Sequence, residues 1–144
     1  MIVNFKKLTP EAVTPFYSKI GDAGLDLTAL TISETTIPYI EYGTGISIEI
    51  PAGHVGLLFP RSSVTNRALI LKNSVGVIDS NYRGEIKLRF STINVDPLQR
   101  HQFYSIGDRI GQLVIVPIPT IELVEKEELS DSDRNEGGFG STGK

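Results

Sequence analysis

Asp79 stands in a segment that gathers several groups able to do chemistry. In GVIDSNYRGEIKLRF, Gly76 to Phe90, two strand-like runs flank Asp79, Ser80, Asn81 and Tyr82. The pattern predicts a hairpin whose turn presents a carboxylate and an aromatic ring together. An aspartate at a turn often only caps its own backbone. That reading accounts for Asp79 and Asn81. It does not account for Tyr82 and Arg83 following them, or for Gly76 and Gly84 bracketing the unit. A second segment, PRSSVTNR from Pro60 to Arg67, follows an apolar run. Arg61 offers a planar fork of donors suited to phosphate. Ser62 and Ser63 add hydroxyls and, at a short helix start, exposed N–H groups. Read plainly, this is a serine N-cap beside a surface arginine.

Other chemistries find less support. Gly138 to Lys144 matches the phosphate-loop spacing G-x-x-x-x-G-K, but the helix that such a loop requires is not expected after it. A glycine-rich arm with Arg134, Ser141 and Thr142 could still wrap phosphates with backbone N–H groups. His54 and His101 stand apart, and no H-E-x-x-H or G-x-S-x-G pattern is present. Any metal is expected to arrive with a triphosphate, as Mg2+ held by oxygens and water.

These segments need a scaffold, and the sequence reads as β-rich. Ile46, Ile48 and Ile50 alternate with Ser47 and Glu49, as in a half-buried strand. Ile86, Leu88 and Phe90 alternate with Lys87 and Arg89 in the same way. Val55 to Phe59 and Leu113 to Val116 are short apolar runs that read as buried strands. Frequent Gly and Pro punctuation then predicts an all-β sandwich or jelly roll. Helix is confined to one or two turns after Arg61, with Ser62 or Ser63 as N-cap and Arg67, Ala68 and Leu69 near its end. From Ser130 the chain runs SDSDRNEGGFGSTGK, too polar and glycine-rich to order itself. The expected organisation is a β domain over 1–129 and a mobile arm over 130–144.

The chain has 144 residues, enough for one domain, with 40% hydrophobic and 22% charged residues. A net charge of −3 gives no reason to expect nucleic-acid binding. The absence of cysteine excludes disulfides, thiolate metal sites and a cysteine nucleophile. No signal peptide or membrane span is evident, so the expected address is the cytoplasm, or the nucleus in a eukaryotic host.

Five segments in order resemble the motifs of the trimeric dUTPase family: AGLDLTA (Ala23 to Ala29), PRSS (Pro60 to Ser63), NSVGVIDSNYRGEIK (Asn73 to Lys87), GDRIGQL (Gly107 to Leu113) and RNEGGFGSTG (Arg134 to Gly143). Together they span nearly the whole chain. The resemblance implies a distorted jelly roll, or β-clip barrel, with a flexible arm, assembled as a homotrimer with active sites at subunit interfaces. It implies a hydrolase that converts dUTP to dUMP and pyrophosphate, limiting uracil in DNA and supplying dUMP for dTMP synthesis.

The resemblance also implies roles. Backbone groups near Asn73, Gly76, Val77, Ile78 and Lys87 hold the uracil. Tyr82 packs under the deoxyribose and excludes a 2′-hydroxyl. Asp79 activates the attacking water. Arg61, Ser62, Ser63 and Gln112 hold phosphates, and Asp26 lies near Mg2+ through water. In the arm, Phe139 stacks on the uracil, while Arg134, Gly140, Ser141 and Thr142 close over the phosphates. Two departures stand out: Ser63 and Asn135 occupy positions where relatives commonly have glycine. Two rival readings exist. A dCTP deaminase would carry a Glu after the hairpin, where Arg89 stands. A regulatory binding module would have lost catalysis, but Asp79, Arg61 and Phe139 are intact.

Overall fold

The structure is a computed structural model that describes residues 1–34, 39–93 and 103–137. Among the described residues, ten strands occur in chain order: β1 (Asn4–Lys7), β2 (Leu25–Thr28), β3 (Thr31–Glu34), β4 (Ile40–Gly43), β5 (Ile46–Glu49), β6 (His54–Phe59), β7 (Leu69–Leu71), β8 (Gly76–Ile78), β9 (Lys87–Thr92) and β10 (Arg109–Pro117). Every pairing is antiparallel. One four-stranded sheet has the order β2-β10-β6-β8, another β3-β4-β9-β7, and β1 pairs with β5 alone. This is the expected all-β jelly roll.

The core follows the alternation in the sequence. Ile48 and Ile50 of the β5 run and Ile86, Leu88 and Phe90 of the β9 run are buried with Leu27, Leu58, Ile110 and Leu113. The apolar runs at 55–59 and 113–116 become neighbours, with Leu58 opposite Leu113 across β6 and β10. Tyr42, Phe90 and Tyr104 form a buried aromatic group with centroids 5.6–5.9 Å apart, an arrangement favoured by ring quadrupoles. Burial pushes the phenols of Tyr42 and Tyr104 up.

Three expectations need correction. Gly76 to Phe90 is not a paired hairpin: β8 bonds to β6 in one sheet, and β9 bonds to β4 and β7 in the other. Residues 79–86 therefore cross between sheets, and Ile86 N–H goes to the Ile46 carbonyl at 2.8 Å. The short helix is a 3₁₀ helix over Ser62–Asn66, and Leu69 already belongs to β7. Its N-cap is Arg61, without a side-chain cap bond, so neither serine caps it. Ser47, placed by alternation on the solvent side, is buried, because the crossing loop covers it and its hydroxyl donates to the Arg83 carbonyl at 2.6 Å. The last strand ends at Pro117, and residues 118–136 are exposed without a strand partner. Among the described residues, no helix is long and apolar enough to cross a membrane.

Candidate active site

The phosphate-binding candidates gather at one end of the β2-β10-β6-β8 sheet. Asp26 of β2 is 7% exposed. Its Oδ1 accepts from Arg61 Nε at 2.9 Å and its Oδ2 from Arg109 Nη1 at 2.8 Å. Such charge-assisted bonds fix the direction of a guanidinium as well as its place. Arg61 is thereby held at the head of the 3₁₀ helix that carries Ser62 and Ser63. Gln112 of β10 lies opposite both Asp26 and Phe59, and its Nε2 donates to the Pro60 carbonyl at 3.3 Å. A side chain at Gly24 would meet Gln112 Oε1 at 2.6 Å, so the glycine of AGLDLTA makes room for the glutamine. Asp26, Arg61, Ser62, Ser63 and Gln112 are brought to one end of the sheet.

Sequence reasoning missed two residues here. Arg109 shares Asp26 and also donates to Ser18 Oγ at 3.1 Å. Arg67 Nη1 donates to the Phe103 carbonyl at 2.6 Å, and its guanidinium lies 4.8 Å from the Tyr104 ring centre, tying the 3₁₀ helix to the approach to β10. Nothing local in the sequence signals either contact, because Arg109 lies 83 positions from Asp26 and Arg67 lies 36 from Phe103.

The second group sits on β8 and the loop after it. β8 is an edge strand, and an edge strand directs a row of backbone donors and acceptors away from its sheet. In the antiparallel ladder with β6, only alternate residues among Gly76, Val77 and Ile78 turn their backbone groups outward, and Val77 is 61% exposed. Gly76 is close-packed, since a Cβ there would lie 3.0 Å from Leu58 Cβ and 3.4 Å from Asn73 Nδ2. Asn73 lies in the turn before β8, where Ser74 takes φ 59°. Asp79 is exposed and lines a cleft with His54, Val55, Ser80, Asn81 and Ile118. Tyr82 N–H donates to the Asp79 carbonyl at 3.1 Å, and the Tyr82 hydroxyl to the Glu85 carbonyl at 3.0 Å. Any Cβ at Gly84 would collide with the Tyr82 ring, which explains the bracketing glycine.

Lys87 directs its side chain to Glu41 at 2.8 Å and Glu85 at 3.8 Å. Arg89 pairs with Glu41 at 2.7 Å and stacks on Tyr39. Lys87 first, then Arg89, holds the Glu41 carboxyl below its usual range.

The two groups do not meet within one chain. Ile78 pairs with Gly56, so Asp79 lies at the His54 end of β6, whereas Arg61 follows the opposite end. From Val55 to Arg61 is six residues, about 20 Å at the rise of an extended strand. Arg134 is described, with Nε donating to the Gly137 carbonyl at 2.7 Å, and Asn135 takes a left-handed φ of 39°. Asparagine tolerates that conformation better than most residues. Phe139, Gly140, Ser141 and Thr142 lie outside the described residues.

Among the described residues, no group of three His, Cys, Asp or Glu is placed to hold a metal ion. A carboxylate oxygen has two acceptor sites. Asp26 therefore keeps capacity for a water beside its two arginines.

The fold is an antiparallel all-β scaffold with a buried aspartate held between two arginines at one end of a sheet. Comparison with known proteins makes the class specific. A family model described as dUTPase matches residues 11–143, and the chain belongs to the dUTPase family. It is 40% identical over 141 residues to a deoxyuridine 5′-triphosphate nucleotidohydrolase of Hydrogenobaculum sp., covering 96% of this chain and 95% of that protein. It is 42% identical over 144 residues to the same-named protein of Corynebacterium glutamicum, covering 99% and 95%. The Staphylococcus bacteriophage 80alpha dUTPase with dUpNHpp superposes with a TM-score of 0.81 at 30% identity, covering 99% of this chain and 98% of the other. A mutant dUTPase from phage phi11 of S. aureus, described with a structural Mg(II) ion, gives 0.70 at 26% identity, covering 89% and 98%.

Proposed function

We propose that this chain is a dUTP diphosphatase, hydrolysing dUTP to dUMP and pyrophosphate by attack of water on the α-phosphorus. The observation that carries the reading is the edge strand β8 with Asp79 and Tyr82 in the loop at its end. The backbone row of β8, with Asn73 and the Lys87 backbone, pairs with the uracil edge. The Tyr82 ring lies under the deoxyribose, where a 2′-hydroxyl would not fit. Asp79 accepts the proton of the attacking water as the new P–O bond forms. The bond from the α-phosphorus to the bridging oxygen breaks, and pyrophosphate leaves. Positioned proton transfer of this kind typically contributes about 10²–10⁴ in rate.

Arg61, Ser62, Ser63 and Gln112 hold the phosphates. A general base must sit within hydrogen-bond reach of its proton, about 3 Å. The separation of Asp79 from Arg61 along β6 therefore favours sites built from two copies, as in a homotrimer. Arg134, Phe139, Gly140, Ser141 and Thr142 close over the bound nucleotide and exclude water. Asp26 would hold Mg2+ through water, the phosphates being its main ligands. When bound, the ion neutralises phosphate charge. The reaction is assigned to the cytoplasm, a reducing compartment that a cysteine-free chain suits.

Incubation with dUTP, dCTP and dTTP, with pyrophosphate and ammonia measured, tests the reading. Pyrophosphate from dUTP alone is expected. Ammonia from dCTP, or no product from any of the three, would overturn it.

A further inference from the structure

The loop carrying Asp79 and Tyr82 is held by a side chain that has no part in the chemistry above. Arg83 Nη1 donates to the Ser80 carbonyl at 2.7 Å and to the Tyr82 carbonyl at 2.8 Å. Its Nη2 meets Glu49 Oε1 at 3.0 Å. Glu49 Oε2 accepts from Asn4 Nδ2 at 2.9 Å, the two residues being directly opposite across β1 and β5. The Arg83 carbonyl is in turn fixed by the buried Ser47 hydroxyl. One guanidinium thus bridges two carbonyls of the loop and anchors them to a separate two-stranded sheet.

We propose that Arg83, held by Glu49 and Asn4, is a positioning residue. It sets the Asp79 carboxylate and the Tyr82 ring relative to each other, and so governs both turnover and the choice of deoxyribose over ribose. The inference rests on the assignment of Asp79 and Tyr82 made above.

Three observations support it. The loop is exposed at Asp79, Asn81, Tyr82 and Arg83, so core packing does not fix it. The Arg83–Glu49 pair is itself about half exposed, and exposed pairs add little to global stability. What the brace supplies is therefore local geometry rather than fold stability. Finally, a guanidinium offers several donors in a rigid plane, and a lysine ammonium at that position cannot reproduce the three directions. Asn4 first, then Arg83, holds the Glu49 carboxyl below its usual range, so the anchor is charged at neutral pH. Misplacement of a reacting group by about 1 Å typically costs about a hundredfold in rate.

The test measures kcat and KM for dUTP and UTP, with melting temperature, on full-length Arg83→Met, Arg83→Lys, Glu49→Ala and Glu49→Gln, alongside Asp79→Asn. Arg83→Met should lower kcat for dUTP about a hundredfold and narrow the dUTP-to-UTP ratio of kcat/KM about tenfold, with melting nearly unchanged. Arg83→Lys should not restore it. Glu49→Ala should move both quantities the same way by less, and Glu49→Gln, which still offers an acceptor to Arg83, should recover most of the loss. If Arg83→Met fails to fold, the exposed Glu49 pair of variants decides. Folded Arg83→Met and Glu49→Ala proteins with kcat and the sugar ratio within about twofold of the parent, while Asp79→Asn is inactive, would overturn the brace alone. An active Asp79→Asn would remove the assignment of the loop, and the brace with it.

Discussion

Replacing Asp26 with Asn should damage stability and catalysis together, through two arginines. The substitution keeps the shape of the side chain and removes its charge. Asp26 accepts from Arg61 at 2.9 Å and from Arg109 at 2.8 Å. A hydrogen bond to a charged group is worth about 1.5–3 kcal/mol net, and stranding a buried charge costs about 3–5 kcal/mol. Arg61 and Arg109 keep 26% and 38% of their side-chain exposure, so water recovers part of that cost. The expected loss is about 2–4 kcal/mol, which lowers the melting temperature of a domain this size by about 10 °C. Arg61 also loses its orientation toward phosphate. Catalytic efficiency on dUTP should therefore fall by roughly tenfold to a hundredfold. Thermal unfolding and a pyrophosphate-release assay on the same preparation measure both effects. Melting within about 2 °C of the parent, with kcat/KM within about twofold, would refute the claim that Asp26 organises the phosphate site.

Asp79→Asn should cut kcat by roughly a hundredfold or more while leaving dUTP binding intact, as checked by calorimetry with a non-hydrolysable analogue. Glu41 carries a pH signature. Its carboxyl is lowered from 4.5 by Lys87 and Arg89, so its pairing stabilises the fold above the unfolded value and is lost as pH falls through the folded one. Melting temperature should drop more steeply below pH 4.5 in the parent than in Glu41→Gln. Deleting residues 134–144 removes no residue of the described core, so melting should be unchanged while turnover collapses. Hydrogen exchange on that segment should slow with a non-hydrolysable dUTP analogue and less so with dUMP.

Much of this was legible in the sequence where the signal is local. Ile86, Leu88 and Phe90 announce their strand by alternation, and the run at 55–59 is bounded by its own punctuation. What the sequence hid depends on partners far along the chain. β8 reads as the first limb of a hairpin, yet its ladder partner is β6, some twenty residues back, and nothing in three residues specifies that choice. Ser47 alternates like a solvent residue, but the loop at 83 supplies both a cover and an acceptor. The Asp26–Arg109 pair spans 83 positions. The family resemblance suggested Asp26 for a metal, and the structure adds that its immediate neighbours are arginines. Pattern also singled out Asp79 and Arg61 as candidates, but only the strand register shows that one chain holds them apart.

That separation is the centre of the account, and subunit mixing tests it most directly. Asp79→Asn and Arg61→Ala are each expected to be nearly inactive alone. If a site takes Asp79 from one copy and Arg61 from another, random exchange in an equal mixture should restore about a quarter of the parent activity. Exchange proven by mass spectrometry or fluorescence transfer, with no activity regained, would show instead that each chain builds its site alone.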